Sequence, residues 1–195
     1  MDDKLQLVNY DDNVIGYGEK IETHKLGLLH RAFSLFLINS DNNKILLQKR
    51  AVNKYHSGGL WSNSCCSHQY KDEKWISALK RCLLDELNLE LNITRCLTYS
   101  DTTMVKEAIL EKNPMKLNSF LYFSDYGEIK EHEVDHVFVL YIDNQDVRKI
   151  RPNVNEVDEI RWLSVYEIES MLNQDISIFT SWFLDAYTIV KKAIY

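Results

Sequence analysis

The chain predicts an α/β fold of the α+β kind, an α/β/α sandwich around a mixed β-sheet. Three observations carry this. Short apolar runs bounded by Asn, Asp and Ser clusters fill the first part of the chain, a strong helical period spans Asp72 to Leu87, and the later segments mix further strands with helices. Strands and helices do not alternate as a regular βαβ series, and there is no Gly-rich phosphate loop of the dinucleotide or Walker kind, which argues against a doubly wound dinucleotide domain. With 195 residues, 45% of them hydrophobic, the chain can bury a substantial core within the usual size of one domain. Residues 1–195 are therefore expected to form a single domain with a β extension at its N-terminus and helices at its C-terminus.

Taken in order, Leu5 to Asn9 alternates apolar and polar residues as a strand does. Asp11-Asp12-Asn13 supplies a turn, and Val14 to Tyr17 a second short strand. Ala32 to Ile38 and Ile45 to Gln48 flank Asn39-Ser-Asp-Asn-Asn43, a β-hairpin signal with a longer loop. Trp75, Leu79, Cys82, Leu83 and Leu87 recur at spacings of three and four, so this stretch reads as a helix with Asp72 as its N-cap. Phe120 to Phe123 and Val137 to Ile142 read as strands, Val165 to Leu172 and Trp182 to Ala193 as helices.

Composition excludes several classes of partner. A net charge of -6 lacks the basic field that nucleic acid or an anionic membrane surface requires, so neither is expected as a partner. No apolar run approaches membrane-spanning length, Met1-Asp-Asp-Lys4 is unlike a secretory leader, and Cys65 and Cys66 are adjacent; the expected compartment is the reducing cytoplasm.

The chemistry concentrates in a few patterns. In Trp61-Ser-Asn-Ser-Cys-Cys-Ser-His68 an extended backbone directs Cys66 and His68 to one face and Cys65 to the other. Glu131-His-Glu133 places two carboxylates in the same alternating relation, with His132 opposite. His24, His30 and His68 with Glu131 and Glu133 supply nitrogen and oxygen donors suited to Zn²⁺ or Mn²⁺. His56, His132 and His136 are expected to be surface or hydrogen-bonded core groups, Cys65, Cys82 and Cys96 small buried residues, and Trp61, Trp75 and Trp162 packing residues. Arg50 offers a planar fork to phosphate oxygens, with Lys54 and Lys20 as point charges.

Several ordered motifs together resemble type I isopentenyl-diphosphate Δ-isomerase, a member of the Nudix superfamily. They are Glu19-Lys20 with His24, Leu29-His-Arg-Ala-Phe-Ser34, Gln48-Lys-Arg-Ala51, Trp61 to His68, the helix ending in Glu86, Glu131-His-Glu133 and Phe179-Thr-Ser-Trp182. The resemblance runs from about Val8 to Trp182 and implies a Nudix-like fold acting on a small isoprenoid diphosphate. It assigns Cys66 and Glu133 to the two sides of a double bond, with Tyr122 beside Glu133 and Trp182 facing a carbocation. It also implies that His24, His30, His68, Glu131 and Glu133 hold Zn²⁺ or Mn²⁺, that Glu86 holds Mg²⁺, and that Lys20, Arg50 and Lys54 hold the diphosphate.

The hydrolase version of the Nudix box is incomplete in this chain. Ser67 stands for its first glycine, Cys82 for the glutamate after Arg81, Asp85 for the next glutamate and Asn88 for the closing glycine, while Ser181 replaces a proline before Trp182. Arg81 is expected to pair with a carboxylate of the box. A Mg²⁺-dependent Nudix hydrolase and a non-catalytic metal- or nucleotide-binding module remain the other readings; oligomeric state is open.

Overall fold

The computed structural model describes residues 3–195. A mixed sheet organises the chain. β1 (Leu5–Val8) and β2 (Val14–Gly18) form an antiparallel pair, and β1 also meets β3 (His30–Asn39). The main sheet continues with β4 (Ile45–Arg50), β7 (Leu97–Thr98), β8 (Met115–Asp125), β9 (Lys130–Ile142) and β10 (Val157–Leu163) in the order β10-β4-β3-β9-β8-β7. The central pair, β3 and β9, is parallel from His30 opposite Glu133 to Asn39 opposite Ile142.

The expected β3–β4 hairpin closes differently from an ordinary one. Only Ile38 and Ile45 are paired; beyond them the strands splay, and the gap is filled by β5 (Trp61–Ser62), which pairs with β4, and β6 (Cys65–His68), which pairs with β3. This insertion carries Cys66 and His68 into the sheet. A local turn signal cannot announce it, because the wedge comes from a distant segment.

Helices cover both faces. α2 (Trp75–Leu87) packs Ala78, Leu79, Cys82 and Leu83 against Phe33, Leu35 and Leu37 of β3 and Phe138 and Leu140 of β9. On the other face, α3 (Thr103–Glu111), α5 (Val165–Gln174) and α6 (Phe183–Ile194) cover Phe36, Ile38, Val137, Val139 and Tyr141. Alternate residues of β3 and β9 thus enter opposite cores, which is why both strands read as almost continuous apolar runs. The expected α/β/α layering is borne out. α1 (Lys20–Leu26) and the short α4 (Asn144–Val147) complete the α-helices described, and a 3₁₀ turn spans Ile176–Ile178.

Two boundaries differ from expectation. α2 begins at Trp75 with Lys74 as N-cap and no side-chain cap, whereas Asp72 occupies the left-handed region with φ 57°. The turn is fixed instead by Glu73, whose Oε2 accepts from the Tyr70 amide at 3.0 Å and whose carboxylate takes the Arg81 guanidinium at 2.9 and 3.0 Å. The sequence reading also passes over α1, α3, β7 and β10; β10, Val-Asp-Glu-Ile-Arg-Trp-Leu, is an edge strand whose charged residues hide its period. Among the described residues, no helix is long and apolar enough to cross a membrane.

Candidate active site

One face of the β3–β9 pair changes character along its length. Phe36, Ile38, Val137 and Val139 line the α6-side core, but toward the start of both strands the same face carries His30, Ala32 and Ser34 on β3 and Glu131, Glu133 and Asp135 on β9. β6 adds Cys66 opposite Ser34 and His68 opposite Ala32, while Cys65, opposite Leu35, enters the α2-side core. The alternation expected for Cys65, Cys66 and His68 is what the structure shows. Tyr122 of β8 pairs with Glu133 and so lies on this face too. The result is a cleft with polar residues at the end of an apolar layer.

His24 reaches the cleft from α1. Its Nδ1 donates to the Lys20 carbonyl one turn back at 2.6 Å, and His30 Nδ1 donates to the Leu28 carbonyl at 2.8 Å. Each bond fixes the tautomer, leaving Nε2 with its lone pair inward, the usual preparation of an imidazole ligand. His24 Nε2 is 3.4 Å from Glu131 Oε1, His30 Nε2 3.4 Å from Glu133 Oε1, and His68 Nε2 3.0 Å from Glu133 Oε1. Donor atoms of His24, His30, His68, Glu131 and Glu133 all lie within 4.8 Å of one another, and all five residues are buried. His24 Nε2 and His30 Nε2 are buried without a hydrogen-bond partner. Buried acceptors left unpaired are costly, and a cation among them satisfies both; the residues fit a metal ion.

Electrostatics of the protein's own groups agree. Burial pushes the pKa of His24 down, and that of His68 well down, favouring neutral imidazoles. His30 is the exception: burial opposes its charge, but the close approach of the Glu133 carboxylate outweighs it and raises the pKa. Burial likewise pushes Glu133 up, yet its contacts with His30 and Glu131 and the imidazole charges outweigh it, leaving Glu133 at about 2. Cys66 is raised, by burial first, with Arg50 opposing. The protein alone therefore holds Cys66 as a thiol and Glu133 as a carboxylate.

Around this cluster, Arg50 Nη1 is 3.6 Å from Cys66 Sγ and its guanidinium carbon is 5.3 Å from the Trp182 ring centroid. Lys54 pairs with Glu156, and Lys20 Nζ lies 5.6 Å from the Tyr55 ring centroid. Burial lowers the Lys20 pKa, with the Lys54 charge second. All three cations expected to meet a diphosphate thus line one cleft with Cys66, Glu86 and Glu133. Glu86 accepts from Gln48 Nε2 at 2.7 Å, and burial raises it to about 7. A buried carboxylate so short of compensating charge, opening on the cleft, suits a hard divalent cation.

Trp182 is buried, and its Nε1 donates to Asn63 Oδ1 at 3.2 Å, fixing the indole plane. Tyr122 lies with its ring 6.0 Å from Trp182, but its hydroxyl turns to Ser181 Oγ at 2.6 Å and Tyr126 at 3.2 Å; the bonded partners of Glu133 are the cluster histidines and Glu131. Arg81 pairs with Glu73 as expected and donates to the His68 carbonyl at 2.9 Å, locking β6 to α2.

Comparisons with known proteins fall in line with this geometry. The NUDIX domain profile matches residues 28–183. The isopentenyl-diphosphate Δ-isomerase of Aliivibrio fischeri is 36% identical over 197 residues, covering 100% of this chain and 96% of that protein. That of Burkholderia multivorans is 36% identical over 183 residues, covering 94% and 90%. This chain belongs to the isopentenyl-diphosphate Δ-isomerases of the NUDIX superfamily. The fold extends to solved structures of far lower identity: a Deinococcus radiodurans protein at TM-score 0.61 and 19% identity covers 88% of this chain and 89% of its own. A MutT protein of Methanosarcina mazei follows at TM-score 0.57 and 14% identity, covering 84% and 94%.

Within this isomerase family the departures find local reasons. Asn88, at the place of a closing glycine, adopts φ 47° and caps α2, a conformation asparagine tolerates. Ser181, at the place of a proline, holds both Tyr122 and Tyr126 hydroxyls at 2.6 Å. Residues that the sequence reading misses are His56, Asp135 and Glu156. His56 is set aside there as an ordinary histidine, yet its Nε2 lies 2.9 Å from Glu131 Oε1 and its ring stacks on Tyr126. It sits in an irregular loop with no period to place it. Asp135 continues the alternation of Glu131 and Glu133, a signal that was available; it accepts from Ser34 Oγ at 2.9 Å and is raised well above the usual range, by burial first and Glu133 second. His132 and His136 do stay outside: His132 bonds the Gly27 carbonyl at 2.9 Å, and His136 packs on Trp75.

Proposed function

We propose that the protein interconverts isopentenyl and dimethylallyl diphosphates by adding a proton to carbon on one side of the cleft and removing another on the opposite side. The observation that carries this reading is the placement of Cys66 on β6 and Glu133 on β9, flanking β3 on one face of a cleft that Trp182 also lines. An allylic shift needs an acid and a base on two sides of a three-carbon unit and an electron-rich surface for the charge between them. Glu133 protonates the terminal alkene carbon of isopentenyl diphosphate, and Cys66 thiolate takes the proton from the neighbouring methylene. The product state is Cys66 thiol with Glu133 carboxylate, the pair of states that the protein's own groups favour, and dimethylallyl diphosphate starts the reverse direction from it.

Each remaining group has a part in binding or orientation. Arg50, Lys54 and Lys20 hold the diphosphate, Arg50 also bridging from the phosphate side to Cys66. Tyr122, held by Ser181, positions the wall beside Glu133. His24, His30, His68, Glu131 and Glu133 are the residues to hold Zn²⁺ or Mn²⁺, and Glu86 is the residue to hold Mg²⁺. Bound there, these ions supply charge neutralisation of the diphosphate and a fixed orientation for Glu133. Residues 1–195 read as one Nudix-like domain working in the reducing cytoplasm. The hydrolase reading finds little support on α2, where Cys82 is a buried thiol and the Asp85 side chain is 59% exposed.

Deuterated water tests the proposal. With isopentenyl diphosphate, deuterium enters the product methyl group and no phosphate is released; Glu133→Gln loses this incorporation while keeping substrate affinity. Phosphate release matching or exceeding isomerisation would establish hydrolysis instead.

A further inference from the structure

Cys65 and Cys82 take no part in these proton transfers, yet they are not two separate packing residues. Cys65 leaves β6 on the face opposite Cys66, and Cys82 rises from α2 to meet it, their sulfur atoms within 4.8 Å of each other. One helical turn further, Glu86 brings Oε1 to 3.5 Å from Cys82 Sγ. The two sulfur atoms and a carboxylate oxygen all lie within 4.8 Å of one another, and all three residues are buried. Gln48 adds a fourth group: its Nε2 holds the other Glu86 oxygen at 2.7 Å, and its Oε1 is buried without a hydrogen-bond partner. Gln48 itself is 1% exposed. A pair of thiols filling a core has no use for a buried carboxylate beside it, whereas a cation uses all three.

We propose that Cys65, Cys82 and Glu86 form a second metal site, for a thiophilic divalent cation such as Cd²⁺ or Zn²⁺, separate from the imidazole and carboxylate cluster. Two thiolates and one carboxylate oxygen suit a borderline or soft ion, with the Gln48 oxygen or a water as fourth donor. Metal–sulfur bonds of about 2.3 Å suit a donor set whose atoms lie within 4.8 Å of one another. Each thiol gives its proton to solvent as the ion binds, so at least two protons leave per cation. Cys82 and Glu86 line the cleft, which gives the ion its entry from the cleft floor. Glu86 is also the carboxylate assigned above to Mg²⁺, so under that reading an ion held by the thiols withdraws it from the diphosphate side.

The test is a Cd²⁺ titration of the full chain in a non-thiol reductant, following the ultraviolet thiolate-to-cadmium band, protons released and ions bound per chain. None of these readouts depends on turnover, so the result stands apart from the isomerase reading. Wild type is expected to develop the band with release of at least two protons for the ion concerned. Cys66→Ala and Cys96→Ala retain it; Cys65→Ala and Cys82→Ala each lose it, together with one bound ion, while ions at the imidazole cluster produce no such band. Absence of the band in wild type overturns the proposal, as does its persistence at full strength in the Cys65→Ala/Cys82→Ala double variant. Should the double variant fail to fold, Cys65→Ala alone decides by the same criterion.

Discussion

Replacing Glu86 with glutamine separates what this residue costs the fold from what it does in the cleft. Burial, opposed by the Gln48 hydrogen bond and the charges of Arg50 and Lys54, raises Glu86 from 4.5 to about 7. The folded chain therefore holds this proton more tightly than the unfolded chain. Between these two pKa values the native state binds more protons, so the contribution to stability is complete below pH 4.5 and is lost as pH rises through about 7. A difference of about 2.5 between the two values corresponds to roughly 3 kcal/mol. Glutamine keeps the size of the side chain and has no proton to lose. Relative to wild type, Glu86→Gln should therefore gain about 3 kcal/mol at pH 8 over its standing at pH 4.5, or about 6 to 12 °C in melting temperature. Urea unfolding of chelator-treated protein at both pH values measures this directly. Mg²⁺ added at pH 8 should then stabilise wild type and leave the variant unmoved. An advantage of equal size at pH 4.5 and pH 8 would refute the reasoning, because it would place the effect in packing rather than in a buried charge.

Two further outcomes bear on the cleft. Cys66→Ala should lower turnover by about 10²- to 10⁴-fold with the fold retained, whereas Cys65→Ala, on the opposite face of β6, should be far milder; circular dichroism and a coupled isomerase assay distinguish them, and equal losses would remove Cys66 from its role. The double replacement His24→Ala/His68→Ala should lower the transition-metal content per chain, measured by elemental analysis, relative to wild type, and unchanged metal content would disprove the five-residue site.

Local pattern reached far into this molecule. Two-residue alternation was enough to place Cys66 with His68 and Glu131 with Glu133, because a strand's side-chain period is a property of the backbone itself. The long helical period of α2 was equally visible, and so were the apolar runs of β3 and β9. Where the readings slipped, the controlling contact was remote. Asp72 yielded the start of α2 to Lys74 because Glu73 is clamped by Arg81, eight residues on. The β3–β4 hairpin opened because β5 and β6 return from a later loop to fill the space between its strands. His56 has no periodic neighbours; its position beside Glu131 depends on the path of a loop.

The sequence by itself determined the layered α+β class, the family, and the residue types able to hold a metal, bind a diphosphate and move a proton. Tertiary structure alone decided which of them meet. The parallel pairing of β3 with β9 sets His30 against Glu133, and the insertion of β6 sets His68 3.0 Å from the same carboxylate. It also turned Tyr122 toward Ser181, brought Cys65, Cys82 and Glu86 together across the sheet–helix interface, and left the charge of Glu86 buried. Periodicity is fixed by bonds between neighbours along the chain, whereas distance, burial and the resulting electrostatics depend on segments that meet only when the whole sheet has formed.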